Sequence, residues 1–318
     1  MTAPATAPET APSKEAIDTI PAESRAPGAP PSAGIVGAES EIPTGVAGAR
    51  PRWVLSPSRA TDFMTCPLLY RLRTVDRIPE PPDPISVRGT LVHAVLERLF
   101  DLPAARRTVE TAVELLGPAW RDLVEARPDL AALFGDETAG DFDAWLSSAQ
   151  DLLRKYFMLE DPACVEPAER EFLIEVELDD GIRLRGFVDR LDIAPTGHVR
   201  IVDYKTGSAP PDFAEEKALF QLKFYALVWW RRRGVIPTLL QLLYLGDGQV
   251  LRYSPDESDL LATERKIRAL WAAIDRALRS GLFPPRPSRC CDWCTFKALC
   301  PAFGGSTPPW PATTTATN

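Results

Sequence analysis

Between residues 171 and 204 the apolar period of this chain becomes two, and turn signals cut the stretch into three short runs. Residues 171–178 alternate, Asp179-Asp180-Gly181 turns, residues 182–193 alternate again, and Pro195-Thr196-Gly197 turns before 199–204. Side chains that switch faces at every residue fit a pleated strand and not a helix. Tight turns between such runs predict three consecutive antiparallel strands. Residues 212–233 then read as a helix, 239–245 as a strand and 255–279 as a long amphipathic helix. A strand reached through a helical crossover pairs parallel to an earlier one, so the expectation is an α/β fold on a mixed sheet flanked by helices.

Upstream the period is helical. Ser56 or Ser58 caps a short helix through Arg59 to Tyr70, interrupted near Cys66-Pro67. After a Pro-rich linker (79–84), residues 86–100 carry Leu91, Val95 and Leu99 along one stripe. Residues 105–160 read as several further helices, with Trp120, Leu123, Leu130, Phe134, Trp145 and Leu152 as packing positions. Residues 1–50 are dominated by Ala, Pro, Gly, Ser, Thr and Glu and cannot bury enough apolar surface to offset their ordering entropy. They are expected to be a disordered leader, the ordered domain to span 53–302, and 303–318 to be a disordered tail.

The chemistry concentrates in the strands. Gly186-Phe187-Val188-Asp189 and Ile201-Val202-Asp203-Tyr204-Lys205 each place a carboxylate among β-prone residues, where aspartate is disfavoured. Asp203 and Lys205 share a strand face. Two carboxylates on neighbouring strands suit a hard divalent cation that also takes water and phosphate oxygens, and a lysine beside them can hold a water or offset phosphate charge. Simpler readings stand beside this one: Asp189 paired with Arg185 or Arg190, and Asp203 with Lys205 as a structural ion pair. His93, four residues before Glu97, is either half of an ordinary helical pair or a ligand that shifts the metal preference towards Mn²⁺. Gln221 and Tyr225, also four apart, are either amphipathic packing or part of the site. His198, in a turn, is expected to face solvent.

The ordered set Gly-x-x-x-His (89–93), Gly-x-x-Asp (186–189), Asp-x-Lys (203–205) and Gln-x-x-x-Tyr (221–225) resembles the RecB-type branch of the PD-(D/E)XK nuclease superfamily across residues 53–302. The resemblance implies a restriction-endonuclease-like core with 105–160 as a helical insertion. It implies His93, Asp189, Asp203 and the Tyr204 carbonyl as ligands of Mg²⁺ or Mn²⁺, Lys205 as the catalytic lysine, and Gln221 and Tyr225 as the completion of the site.

Four of the six cysteines fall between Cys290 and Cys300. Cys-x-x-Cys with another cysteine six residues on is a metal-site spacing, and Cys66 is the natural fourth ligand; Cys164 has no partner pattern. Spacing alone does not choose between zinc and an iron–sulfur cluster. Similarity to AddB-type nuclease domains and CRISPR-adaptation nucleases implies a [4Fe–4S] cluster on Cys66, Cys291, Cys294 and Cys300, with the adjacent Cys290 as an ambiguity.

A net charge of −8 argues against nonspecific adhesion to DNA or acidic membranes, though not against a nuclease whose carboxylates are negative until loaded. No apolar run reaches the roughly 20 residues of a membrane span, and the expectation is a cytoplasmic protein. No phosphate-loop motif is present, so the chain is expected to carry no helicase motor, and it either works alone or borrows unwinding from a helicase partner. The first expectation is a metal-dependent DNA exonuclease acting at single-stranded ends in repair or recombination. A nuclease that processes CRISPR spacers, and a nonhydrolytic DNA-end-binding subunit of a helicase–nuclease complex, are the alternatives.

Overall fold

The computed structural model describes residues 54–134, 139–210 and 215–310; the expected leader, the start of the helix expected from 212, and the last eight residues lie outside them. The described chain enters through a two-residue strand, β1 (Val54–Leu55). Helix α1 (Pro57–Thr65) follows, its first turn capped by the Ser56 hydroxyl, which accepts from the Arg59 amide. Cys66 adopts an extended conformation and breaks the helix where expected, and α2 (Pro67–Tyr70) resumes it. Helix α3 (Pro84–Leu99) is capped by Asp83 and buries Leu91, Val95 and Leu99.

Residues expected as an insertion form α4 (Val109–Glu114), α5 (Leu116–Ala126) and α6 (Ala139–Leu159). Their anticipated apolar positions meet: Trp120 packs against Phe134, Phe142 and Trp145, while Leu123, Leu130 and Leu152 are buried. With α3 they share one core with Val202, Tyr204 and Leu243 of the sheet. These helices are therefore one full layer of the fold.

The three predicted strands appear as β2 (Glu169–Glu177), β3 (Arg183–Ile193) and β4 (Val199–Lys205), each antiparallel to the next. Helix α7 (Glu215–Arg233) then carries the chain over to β5 (Leu239–Tyr244), which pairs parallel to β4. An edge strand, β6 (Gln249–Tyr253), pairs antiparallel to β5. The mixed sheet runs β2-β3-β4-β5-β6, with β1 parallel to the start of β3 on the side that β4 occupies further along. Neither β1 nor β6 was anticipated: two residues show no period, and β6 is a five-residue edge strand with no fully buried position.

Helix α8 (Glu257–Ser280) opens on a capping box between Asp256 and Asp259 and ends at Gly281, whose φ of 70° closes the helix in a left-handed turn. Helices α1, α7 and α8 bury their apolar faces in a second core with Leu184, Val188, Ile201 and Leu242. The result is a three-layer α/β/α arrangement. Order also extends past residue 302: the Pro308 carbonyl accepts from Arg71, and the Trp310 ring stacks on Phe283 at 5.3 Å. The expected disordered tail is corrected there, because an indole can bury a large apolar surface even in a Pro/Thr-rich segment.

Candidate active site

The sheet changes parity at the site. On β2, Phe172, Ile174 and Val176 pack into the α7/α8 core, yet Arg170 reaches the Glu97 carbonyl of α3 on the other side. On β3, Leu184 and Val188 face α7/α8, whereas Arg190 bonds the Tyr204 hydroxyl and Glu160 in the opposite layer. The switch falls at Glu171 and Asp189, which the register sets opposite each other between the pairs Arg170↔Arg190 and Phe172↔Val188. Glu171 carries it with a φ of 43°, in the left-handed region that side chains rarely occupy. Beyond Arg190↔Val202 the β3–β4 ladder ends, and one more step would bring Asp189 opposite Asp203. The carboxylates stand where β3 and β4 part, so that α3 reaches them from one layer and α7 from the other.

From α3, the His93 imidazole enters the fork. Its Nε2 donates to the Tyr204 carbonyl at 3.0 Å, and its Nδ1 lies 3.5 Å from Asp189 Oδ2 and 3.8 Å from Glu171 Oε1. Asp189 Oδ2 also accepts from the Tyr204 amide at 2.8 Å, which locks the carboxylate against β4. Gly89, one turn before His93, lets β4 come close: a Cβ there would stand 3.2 Å from Thr206 Oγ1.

From α7 comes a chain of side-chain contacts. Lys205 Nζ pairs with Asp203 Oδ2 at 2.7 Å and donates to Gln221 Oε1 at 2.7 Å; Gln221 Nε2 donates to the Tyr225 hydroxyl at 2.9 Å. Tyr225 in turn lies against Gly186, where a Cβ would come within 2.5 Å of its ring. Each of the four sequence motifs thus touches another.

The charges in the fork act on one another. Burial, then the Asp189 charge, push the Asp203 carboxyl up to about 6, although Lys205 and His93 oppose the shift. Burial also raises Asp189; His93 works against that rise and Glu171 adds to it. Burial disfavours the His93 imidazolium, but Asp189, Glu171 and Asp203 outweigh it and hold the ring up to about 9. Asp203 is 1 % exposed, and its Oδ1 receives no hydrogen bond among the described residues. A buried carboxylate oxygen without a donor is costly unless a cation supplies the partner. His93, Glu171 and Asp189 each place one ligand atom within 4.8 Å of the others. The donor set, imidazole nitrogen plus carboxylate oxygens, fits a divalent ion such as Mn²⁺ or Mg²⁺.

The simpler readings of these residues sort themselves out. Arg190 belongs to a buried network with Glu160 and Asp192 on the far side of the sheet, and Arg185 lies over the Phe187 ring, so neither is the partner of Asp189. The Asp203–Lys205 pair does form, with Lys205 also tied to Gln221. His198 is exposed, and its ring meets the Thr196 hydroxyl. Glu171 was missed. Strict alternation puts it in phase with Glu169, Glu175 and Glu177, a solvated row, and only its positive φ turns it towards the fork.

At the far end of α1, Cys66, Cys290, Cys291, Cys294 and Cys300 line a cavity of about 130 Å³, floored by Leu68, Leu72 and Phe296. Cys66 Sγ accepts from the Arg286 amide and Cys291 Sγ from the Ser288 amide, each at 3.3 Å. Among the described residues no three of these sulfurs lie within 4.8 Å of one another. Cys164 is exposed and bonds only Asp161.

A mixed sheet lies between helical layers, and Asp189, Asp203, Lys205 and His93 converge where two of its strands part. The model of the PD-(D/E)XK nuclease superfamily matches residues 54–301, and the chain belongs to that superfamily. It is 25% identical over 291 residues to the Gene 69 protein of Mycobacterium phage L5, covering 78% of this chain and 96% of that protein. It is 26% identical over 280 residues to the Gene 69 protein of Mycobacterium phage D29, with the same coverages. A crystal structure of a "Putative exonuclease" from Eubacterium rectale superposes with a TM-score of 0.50 at 12% identity, covering 76% of this chain and 87% of that one; at this identity the likeness concerns the fold. The protein is a nuclease. No helix among the described residues is long and apolar enough to cross a membrane.

Proposed function

We infer that this nuclease is a metal-dependent DNA exonuclease of the RecB type, working at single-stranded ends in repair or recombination. The observation that carries the reading is the contact chain Asp203–Lys205–Gln221–Tyr225 beside His93 and Asp189, which unites all four motifs of the RecB-type resemblance in one fork. His93, Asp189, Asp203 and the Tyr204 carbonyl would hold Mg²⁺ or Mn²⁺. When bound, that ion supplies positive charge against the scissile phosphate and eases deprotonation of a water. Lys205 holds its ammonium at the exposed end of the strand, where it can orient the water and offset phosphate charge. Gln221 fixes the direction of that ammonium, and Tyr225 fixes Gln221. Asp189, anchored by the Tyr204 amide, keeps its free lone pairs facing the fork.

The cysteine cavity is read as a [4Fe–4S] site on Cys66, Cys291, Cys294 and Cys300. Four thiolates on one zinc stand about 3.8 Å apart, given Zn–S bonds of about 2.3 Å, whereas among the described residues no three of these sulfurs lie within 4.8 Å of one another. The amide donors on Cys66 and Cys291 suit thiolates of an iron–sulfur centre, whose sulfurs are tuned by such bonds. Cys291, half-buried and bonded by Ser288, is favoured over the exposed Cys290. The cluster would clasp α1 to the C-terminal segment, closing a loop of more than two hundred residues.

The test uses anaerobically purified protein, end-labelled single- and double-stranded DNA, and Mg²⁺ or Mn²⁺. Wild type is expected to shorten single strands progressively while Asp203→Ala and Lys205→Ala leave them intact. Equal degradation by all three proteins sinks the site, and internal cuts in circular DNA overturn the exonuclease reading.

A further inference from the structure

The Glu171 carboxylate has no role in the motif set, yet it stands inside the fork. It lies opposite Asp189 across the β2–β3 ladder, and the β3–β4 register continued one step past its last pair sets Asp189 opposite Asp203. Three carboxylates thus line up across β2, β3 and β4. Like charges set directly opposite one another on a sheet are destabilising, and a row of three is more so. Arginines relieve two other acidic residues of these strands: Glu175 pairs with Arg183, and Asp192 with Arg190 and Arg200. Glu171 has instead the His93 ring, whose Nδ1 is 3.8 Å away.

Around an ion with bonds of about 2.1 Å, adjacent ligand atoms sit about 3 Å apart and opposite ones about 4.2 Å. The 3.5 Å and 3.8 Å separations of Asp189 and Glu171 from His93 Nδ1 fall inside that window. The ring orientation agrees. His93 Nε2–H is committed to the Tyr204 carbonyl, so Nδ1 is the ring nitrogen that faces both carboxylates, and a bound cation would take the place of its proton. A separate observation that suits a cation is the buried Asp203 Oδ1, which has no hydrogen-bond donor among the described residues.

We propose that Glu171 is a further ligand of the divalent cation, binding it together with His93 Nδ1 and Asp189, and that the left-handed backbone at residue 171 exists to turn this carboxylate into the fork. The assignment rests on the nuclease-site reading above. It puts a mixed nitrogen and carboxylate set around the ion and so favours Mn²⁺ over Mg²⁺.

The test is Mn²⁺ binding to the metal-free protein without DNA, followed by calorimetry and by electron paramagnetic resonance, with water-proton relaxation counting the waters on the bound ion. Glu171→Gln keeps an oxygen that can accept from His93 but loses the anionic ligand, so it separates ligation from ring positioning. The expected result is Mn²⁺ affinity weakened about tenfold or more, with one additional water on the ion. Glu171→Asp, checked by the same melting temperature as wild type, covers the case in which the Gln variant does not fold and is expected to weaken binding as well. Wild-type affinity and an unchanged water count in a folded Glu171 variant overturn the assignment while Asp189→Asn still abolishes binding. If wild type itself binds no Mn²⁺, the nuclease-site reading fails and the assignment with it.

Discussion

Gly186 and Tyr225 are in contact across the β3–α7 interface: a Cβ on residue 186 would lie 2.5 Å from the tyrosine ring. The glycine of one motif is therefore the seat for the tyrosine of another. Its role is steric room for a neighbour, since it is not among the glycines with positive φ. Through Gln221, Tyr225 sets the direction of Lys205, so a methyl group 19 residues in sequence from that lysine bears on the chemistry.

Gly186→Ala is accordingly expected to displace Tyr225 and to cost about 1–3 kcal/mol of stability, the range for overpacking a filled site. Cleavage should fall while Mn²⁺ binding to the metal-free protein stays within about twofold. Thermal melts and metal titrations on the same preparation check both, and unchanged cleavage would break the proposed link from Tyr225 to Lys205.

Lys205→Ala and Asp203→Asn should differ in kind. Removing the ammonium is expected to lower the cleavage rate about a hundredfold or more, as loss of one preorganised charge does, and to leave cation binding in place. Asp203→Asn should weaken the cation as well. Single-turnover cleavage beside Mn²⁺ titration separates the two; a Lys205→Ala enzyme with wild-type rate removes that residue from the chemistry.

The buried network behind the site predicts an acid limit. Burial alone would raise Glu160, but Arg190, with Arg200 and the Tyr156 hydroxyl, holds its carboxyl below the ordinary glutamate range. A carboxyl whose folded pKa lies below its unfolded value stabilises the fold above the unfolded value, and that stability is lost as pH falls through the folded one. Unfolding free energy should therefore decline as pH drops below about 4.5, and more gently in Glu160→Gln. The variant should itself be less stable at neutral pH by about 3–5 kcal/mol, because Arg190 is left buried without its charge partner. Urea melts between pH 3 and 7 provide the measurement, and parallel pH curves for the two proteins would contradict it.

If the cysteine cavity holds an iron–sulfur cluster, anaerobic protein should be brown, with absorbance near 400 nm that Cys294→Ser removes. Loss of a clasp closing so long a loop is expected to cost about 2–5 kcal/mol, the range for a lost cross-link. Colourless protein carrying one equivalent of zinc would overturn the assignment, whatever the melting temperature.

The period-two runs and their turns made β2, β3 and β4 legible, and a helical period did the same for α3, α7 and α8, because local side-chain alternation is a property of neighbouring residues. The same reading placed Asp189, Asp203, Lys205, His93, Gln221 and Tyr225 on elements of known order. Their contacts depend on strand register, on the parting of β3 and β4, and on two helical layers meeting at one point, none of which a local pattern encodes. β1 and β6 escaped because a two-residue strand and a short edge strand have too little buried surface to impose a period.

Glu171 marks the boundary most sharply. Its sequence neighbours assign it to a solvated row of glutamates, and a single backbone dihedral of 43° moves it into the site. The amino-acid sequence by itself determined the fold class, the strand meander and the superfamily motifs, since these follow from periodicity and residue chemistry. Only the tertiary structure decided which carboxylates share the fork and which arginines stay out of it, because the faces of β2 and β3 exchange at that one position.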